Sequence, residues 1–150
     1  MFNNCEALTS LDLSNFDTSN VTRMFRMFYG CSNIPSLYLN NFDTSNVTDM
    51  YCMFCNCSNI TSLDLSSFNT SNVTDMRSMF CNCSNITSLD LSNFDTTKVT
   101  KCDDMFKNCS NLKHIKCKQA FKNWCMRNIY SISLPNAMKN GGEGVWEIVD

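Results

Sequence analysis

Glycine and proline are scarce, with 4 and 2 among 150 residues. That excludes a collagen-like chain or a linker-rich one. Charge is sparse too, at 17%, yet apolar residues reach 43%, which is the balance of a globular chain. No run of 18 apolar residues occurs, so no segment reads as a membrane-spanning helix. The first residues, Met1 to Glu6, have no basic start and no apolar stretch of the secretory kind. They begin partway through a repeat, which suggests a fragment or a gene start placed at an internal Met. One histidine, His114, is the whole imidazole supply.

The chain is long enough for one domain with a real core. Its charge is divided: residues 1–97 hold 3 basic and 9 acidic side chains, and residues 98–150 hold 9 basic and 5 acidic. The halves are therefore −6 and +4, matching the overall −2. Such asymmetry favours one orientation toward charged partners. It lacks the basic stripe of a nucleic-acid binder.

Internal repetition decides the rest. Phe16, Phe42, Phe68 and Phe94 are 26 residues apart. Leu11, Leu37, Leu63, Leu89 and Ile115 keep the same step, as do Val21, Val47, Val73 and Val99. Met-Phe pairs recur at 1–2, 27–28, 53–54, 79–80 and 105–106, each followed by Cys5, Cys31, Cys57, Cys83 or Cys109. In the unit 60–85, Ile60, Leu63 and Leu65 have the spacing L-x-x-L-x-L. Ser62 to Ser66 alternates polar and apolar, as a half-buried strand does. Asn69 to Asn72 is turn chemistry. Thr74 or Asp75 is placed to cap a short helical segment carrying Met76, Met79, Phe80 and Cys83. Strands are expected at 8–14, 34–40, 60–66, 86–92 and 112–118. They should pair in parallel as one curved sheet, with helical segments on the opposite side.

These phrases resemble the BspA-like, Treponema pallidum-type leucine-rich repeats, in their 26-residue variant. Leu63-Asp64-Leu65-Ser66-Ser67-Phe68-Asn69-Thr70-Ser71-Asn72-Val73 carries the resemblance, which covers residues 1 to about 118. It implies an α/β fold: a right-handed leucine-rich-repeat solenoid, with a parallel β-sheet on the concave face and short helical segments on the convex face. It also implies a surface protein of microbes or protists, some relatives being adhesins and others viral. Function follows from fold only weakly.

After Lys118 the repeat stops. Ala120, Phe121, Trp124, Cys125 and Ile129 mark an amphipathic helix, Leu134-Pro135 and Gly141-Gly142 are punctuation, and Val145 to Val149 alternates like a strand. The organisation is thus residues 1–118 as leucine-rich repeats and 119–150 as a C-terminal cap. The truncated first unit leaves an uncapped edge, open to end-to-end contact.

Of the 11 cysteines, five form the repeated ladder and read as buried, reduced, small apolar residues. Cys52-x-x-Cys55-x-Cys57 with Cys81-x-Cys83 has metal-ligand density. Two of these belong to the ladder, and Cys55 aligns with Tyr29 and Lys107, a position expected to face solvent. No metal or other cofactor is expected. A Cys55–Cys81 disulfide needs a suitable Cα separation. Free thiols at this density suit a reducing or anaerobic setting, whereas the family resemblance suggests the cell surface or secretion.

The outward strand face presents three rows: Ser10, Ser36, Ser62, Ser88 and His114; Asp12, Tyr38, Asp64, Asp90 and Lys116; Ser14, Asn40, Ser66, Ser92 and Lys118. The first two rows are the candidate binding surface, since spaced hydroxyls and carboxylates hydrogen-bond proteins and glycans. An ordinary solvated sheet face would look the same. Tyr38 stands out, as tyrosine is enriched at binding hot spots. A Ser88–His114–Asp90 triad is geometrically imaginable, but no strained elbow or oxyanion hole accompanies it. Gly141 to Gly144 lacks the Lys-Ser/Thr of a phosphate loop. Asp12, Asp64 and Asp90 do not surround one point as calcium requires. The Asn-x-Thr sequons at Asn20, Asn46, Asn59, Asn72 and Asn85 repeat one unit's accident. The expectation is a non-catalytic module binding a protein or glycan, without nucleic acid or membrane insertion. A structural spacer is the alternative, and a hydrolase using His114 is a remote one.

Overall fold

The 26-residue period becomes a spacing in space. The structure, a computed structural model, describes residues 1–150. Strand β1 (Ser36–Tyr38) pairs in parallel with β2 (Ser62–Asp64), and β3 (Ser88–Asp90) with β4 (His114–Lys118). Each pairing matches residues 26 apart, such as Leu37 with Leu63 and Leu89 with Ile115. The repeats thus stack with equivalent residues as neighbours, so one apolar row buries the next. The molecule is α/β, with small parallel sheets and one α-helix, α1 (Gln119–Arg127). A last strand, β5 (Val145–Val149), pairs in parallel with β4 along its length.

Inside, Phe2, Phe28, Phe54, Phe80 and Phe106 form a single file. Their ring centroids lie 5.8, 5.7, 5.8 and 5.7 Å apart, with planes within 8° of parallel. Such pairs contribute about 0.5–1.5 kcal/mol beyond area burial. The ladder cysteines run alongside. Cys31, Cys57, Cys83 and Cys109 donate S–H to the carbonyls of Phe2, Phe28, Phe54 and Phe80 at 3.0–3.1 Å. Burial pushes the Cys57 and Cys109 thiols up to about 12.

Three buried threonines tie one repeat to the next. The Thr18 hydroxyl donates to the Asp43 carbonyl (3.0 Å) and accepts from the Asp43 N–H (2.8 Å). Thr44 does the same with Asn69, and Thr70 with Asp95. No buried side-chain nitrogen or oxygen is left without a partner.

The segments opposite the strands are not helices. Along 24–30, the N–H groups of Met24, Arg26, Phe28 and Gly30 donate to the carbonyls of Asp49, Tyr51, Met53 and Cys55 in the next repeat, at 2.8–2.9 Å. Those of Met27, Tyr29 and Cys31 instead close turns onto carbonyls three residues back. The same alternation recurs at 50–57 and 76–83. It needs a left-handed residue every fourth position, found at Arg26 and Gly30, Cys52 and Asn56, Ser78 and Asn82, and Asp104 and Asn108. A right-handed helix cannot contain them, so the apolar spacing at Met76, Met79, Phe80 and Cys83 reflects consecutive turns. Asp75 caps no helix; its carboxylate accepts the Arg77 N–H in a turn (3.1 Å).

The expected single sheet is two, β1-β2 and β3-β4-β5. Asp64 and Asp90 occupy equivalent positions on β2 and β3 and repel one another. Like charges opposite each other weaken strand pairing, whereas Asp90 opposite Lys116 supports it. Residues 8–14 form no strand. The chain there is held partly by Asn41, whose side-chain amide donates to the carbonyls of Leu13 and Phe16.

Past β4, α1 buries Phe121, Trp124 and Cys125. Phe121 meets Phe94 edge-on at 6.1 Å. The Trp146 indole N–H on β5 donates to the Met138 carbonyl (3.0 Å). The backbone N–H groups of Asp104 and Phe106 donate to Ser131 and Ile132.

Candidate functional site

Alternation along the strands sends Ser36, Tyr38, Ser62, Asp64, Ser88 and Asp90 away from the core. On β1-β2, Ser36 faces Ser62 and Tyr38 faces Asp64; on β3-β4, Ser88 faces His114 and Asp90 faces Lys116. Ser10 and Asp12 lie in the irregular segment before β1.

The aspartates do local work. Asp12, Asp64 and Asp90 accept the backbone N–H groups of Ser14, Ser66 and Ser92 at 2.9–3.1 Å. These bonds end each strand segment in a turn. The backbone bond from Ser14 holds Asp12 below the ordinary carboxylate value, and the side chain and backbone of Ser66 do so for Asp64. For Asp90, burial works upward, and Ser92 and Lys116 outweigh it.

Around His114 the charges form a small network. Its Nε2 lies 3.1 Å from Glu147, and Lys116 reaches Asp90 (3.4 Å) and Glu147 (3.9 Å). Glu147 enters from β5, a pairing that no repeat pattern announces. Ser88 is the register partner of His114, but Asp90 pairs with Lys116, so the three do not form a relay. No group of three or more His, Cys, Asp or Glu side chains is arranged to hold a metal ion.

Tyr38 is 73% exposed. It borders a cleft of about 320 Å³ lined also by Ser10, Asp12, Ser14, Asn40 and Asn41. The cleft occupies the place where residues 8–14 fail to join β1. A larger hollow, about 530 Å³, lies between the last repeat and the tail, with Tyr130, Lys107 and Lys139 at its wall.

A family model described as "Mycoplasma protein of unknown function, DUF285" matches residues 1–124. The chain belongs to the DUF285 family. The match spans every 26-residue unit of this DUF285 protein and ends inside α1, so the family is one of repeat proteins. No curated protein and no solved structure matches the chain.

One position departs from the sequence reading. Cys55, aligned with Tyr29 and Lys107, does not face solvent; it is buried in a small cluster with Cys52 and Cys81, apart from the main core. Tyr29 and Tyr51 pack against that cluster. Its neighbours Arg26 and Arg77 stack on tyrosine rings, with Arg26 5.2 Å from Tyr29 and 5.4 Å from Tyr51, and Arg77 5.0 Å from Tyr51. The signal was available in the repeat alignment, where the column of Tyr29 and Lys107 holds cysteine in the two middle units, at Cys55 and Cys81.

Proposed function

We propose that this DUF285 protein is a BspA-like leucine-rich-repeat solenoid working as a non-catalytic binding or adhesion module, with a protein or glycan taken up on its strand face. The observation that carries the reading is Tyr38: a large exposed aromatic beside a cleft rimmed by hydroxyl and amide groups. An aromatic platform with flanking hydrogen-bonding groups suits a sugar ring or a peptide edge. The 26-residue parallel register supports the solenoid. In this reading residues 119–150 are its C-terminal cap, since β5 covers the edge of β4 and the tail accepts backbone N–H groups of the last repeat.

The experiment is an array of glycans and host-type proteins probed with the folded chain and with Tyr38→Ala and Asn40→Ala. Specific binding lost by roughly thirtyfold or more in Tyr38→Ala supports the reading, since hot-spot aromatics contribute at least about 2 kcal/mol. Binding that both variants retain removes it. The second reading, a structural spacer, is favoured by the use of Asp12, Asp64 and Asp90 to fasten turns, which leaves fewer free carboxylate lone pairs for a ligand. Absence of binding by well-folded protein selects that reading.

A further inference from the structure

The cluster of Cys52, Cys55 and Cys81 lies on the turn face and has no part in the binding surface. It differs from the cysteine ladder in each respect that bears on reactivity. The ladder thiols donate to carbonyls one repeat back, whereas no backbone carbonyl receives the cluster thiols. Cys57, Cys83 and Cys109 are at most 1% exposed; Cys52, Cys55 and Cys81 retain 5, 6 and 8%. The backbone holds the cluster together twice. A turn with the Cys55 N–H on the Cys52 carbonyl (3.2 Å) brings positions 52 and 55 together. Ladder bonds on either side, Phe54 to Met79 and Asn56 to Cys81, set Cys55 beside Cys81 in the next repeat. The three side chains pack together as one small buried cluster.

The surroundings favour a thiolate at one of the three. Arg26 occupies the position equivalent to Cys52 in the preceding repeat and is stacked on Tyr29 and Tyr51, so its charge favours a thiolate at Cys52. The adjacent Cys55 thiol draws the Cys52 thiol well below its ordinary value; burial opposes this, and Tyr51, Arg26 and Ser78 add to the lowering. Cys55 moves far in the opposite direction, because it lies beside that thiolate and is itself buried. A thiolate next to a guanidinium, with a second thiol one turn away, is the arrangement of reactive dithiols.

We infer that Cys52 and Cys55 form a peroxide-reactive dithiol, with Cys52 the attacking thiolate, Cys55 the resolving thiol, and Arg26 positioning the first. The Cys52 thiolate attacks one oxygen of hydrogen peroxide. An S–O bond forms, the O–O bond breaks, and hydroxide leaves to take up the proton Cys52 had released. Cys52 is then a sulfenic acid, oxidised by two electrons, and the peroxide is reduced. The Cys55 sulfur next attacks the Cys52 sulfur. The S–S bond forms, the S–O bond breaks, and the departing hydroxide takes the Cys55 proton as water. Two thiols and one peroxide thus give one disulfide and two waters.

The test uses the full reduced chain, stoichiometric hydrogen peroxide, alkylation of remaining thiols in denaturant, and chymotryptic cleavage after Phe54. The expected product is a Cys52–Cys55 bridge with the ladder cysteines still reduced. Cys52→Ser should slow peroxide consumption at neutral pH at least tenfold. Cys55→Ser should stop at a Cys52 sulfenic acid that a dimedone probe captures. Both variants are compatible with the fold, since Ser78 occupies the left-handed position of Cys52 at φ 53°, and Tyr29 and Lys107 occupy that of Cys55. Circular dichroism checks this. First oxidation at the more exposed Cys5 or Cys102, a Cys55–Cys81 bridge with Cys52 still reduced, or undiminished peroxide consumption by Cys52→Ser would each overturn the inference.

Discussion

Replacing Thr70 by valine changes little volume and removes one hydroxyl. That hydroxyl makes two bonds to a single residue of the next repeat, donating to the Asp95 carbonyl at 2.9 Å and accepting from its N–H at 2.7 Å. Thr70 is fully buried, so its loss leaves two backbone groups facing a methyl. An unsatisfied buried group costs about 1–3 kcal/mol. Asp95 itself is half-buried, and water will recover part of this. The net loss should be about 2–3 kcal/mol, a large share of the ~5–15 kcal/mol of an ordinary domain. Thr96→Val is the matched control, at the same position of the following unit but without such a pair of bonds, and should stay within about 0.5 kcal/mol. Urea unfolding followed by circular dichroism gives both values, and hydrogen exchange should show the Asp95 amide losing protection. Equal midpoints for the two variants, with the Asp95 amide still protected, would refute the claim that these threonines join the repeats.

Two further outcomes follow from the interior and the turns. Cys57 and Cys109 have folded values near 12 against an ordinary 9.0; the unfolded chain releases these protons first, so stability should hold below pH 9 and fall as pH rises from 9 toward 12. Each contributes up to roughly 4 kcal/mol over that window; a flat stability profile across it, from denaturant titrations at each pH, would contradict the burial argument. Asn82, at φ 60°, donates to Asn56 (2.6 Å) and accepts from Asn108 (2.7 Å). Asn82→Ala should therefore destabilise by about 1 kcal/mol more than Asn82→Gly, because alanine adds left-handed strain to the lost bonds; equal thermal midpoints would count against it.

The period of 26 was plain in the sequence because it repeats in several independent rows, and Leu37, Leu63, Leu89 and Ile115 pair with the register it implies. The turn face was misread for a definite reason. Met76, Met79, Phe80 and Cys83 have helical spacing, yet successive turns with a left-handed residue every fourth position share that period. Asn56, Asn82 and Asn108, with Gly30 in the same column, were the available signal, since these residue types tolerate positive φ. Ser36, Tyr38, Ser62, Asp64, Ser88 and Asp90 follow the strand alternation that the sequence shows, whereas Ser10 and Asp12 lie off any strand, and the use of Asp64 and Asp90 as turn fasteners depends on backbone geometry that periodicity does not encode. Glu147 beside His114 could not be anticipated, because it arrives from β5 outside the repeat.

The one-way hydrogen bonding of the turn face has an electrical consequence. At each junction from residues 24–30 onward, four N–H groups point toward the following repeat and four carbonyls point back. Peptide dipoles that alternate in an ordinary sheet are here in line, as they are along a helix axis. The column therefore carries a partial positive charge toward its later repeats and a partial negative charge toward its earlier ones. Side-chain charge has the same sense, with −6 in residues 1–97 and +4 in residues 98–150. Backbone and side chains thus give the molecule a single polarity along its stacking direction, and neighbouring molecules feel a force that favours head-to-tail over side-by-side alignment.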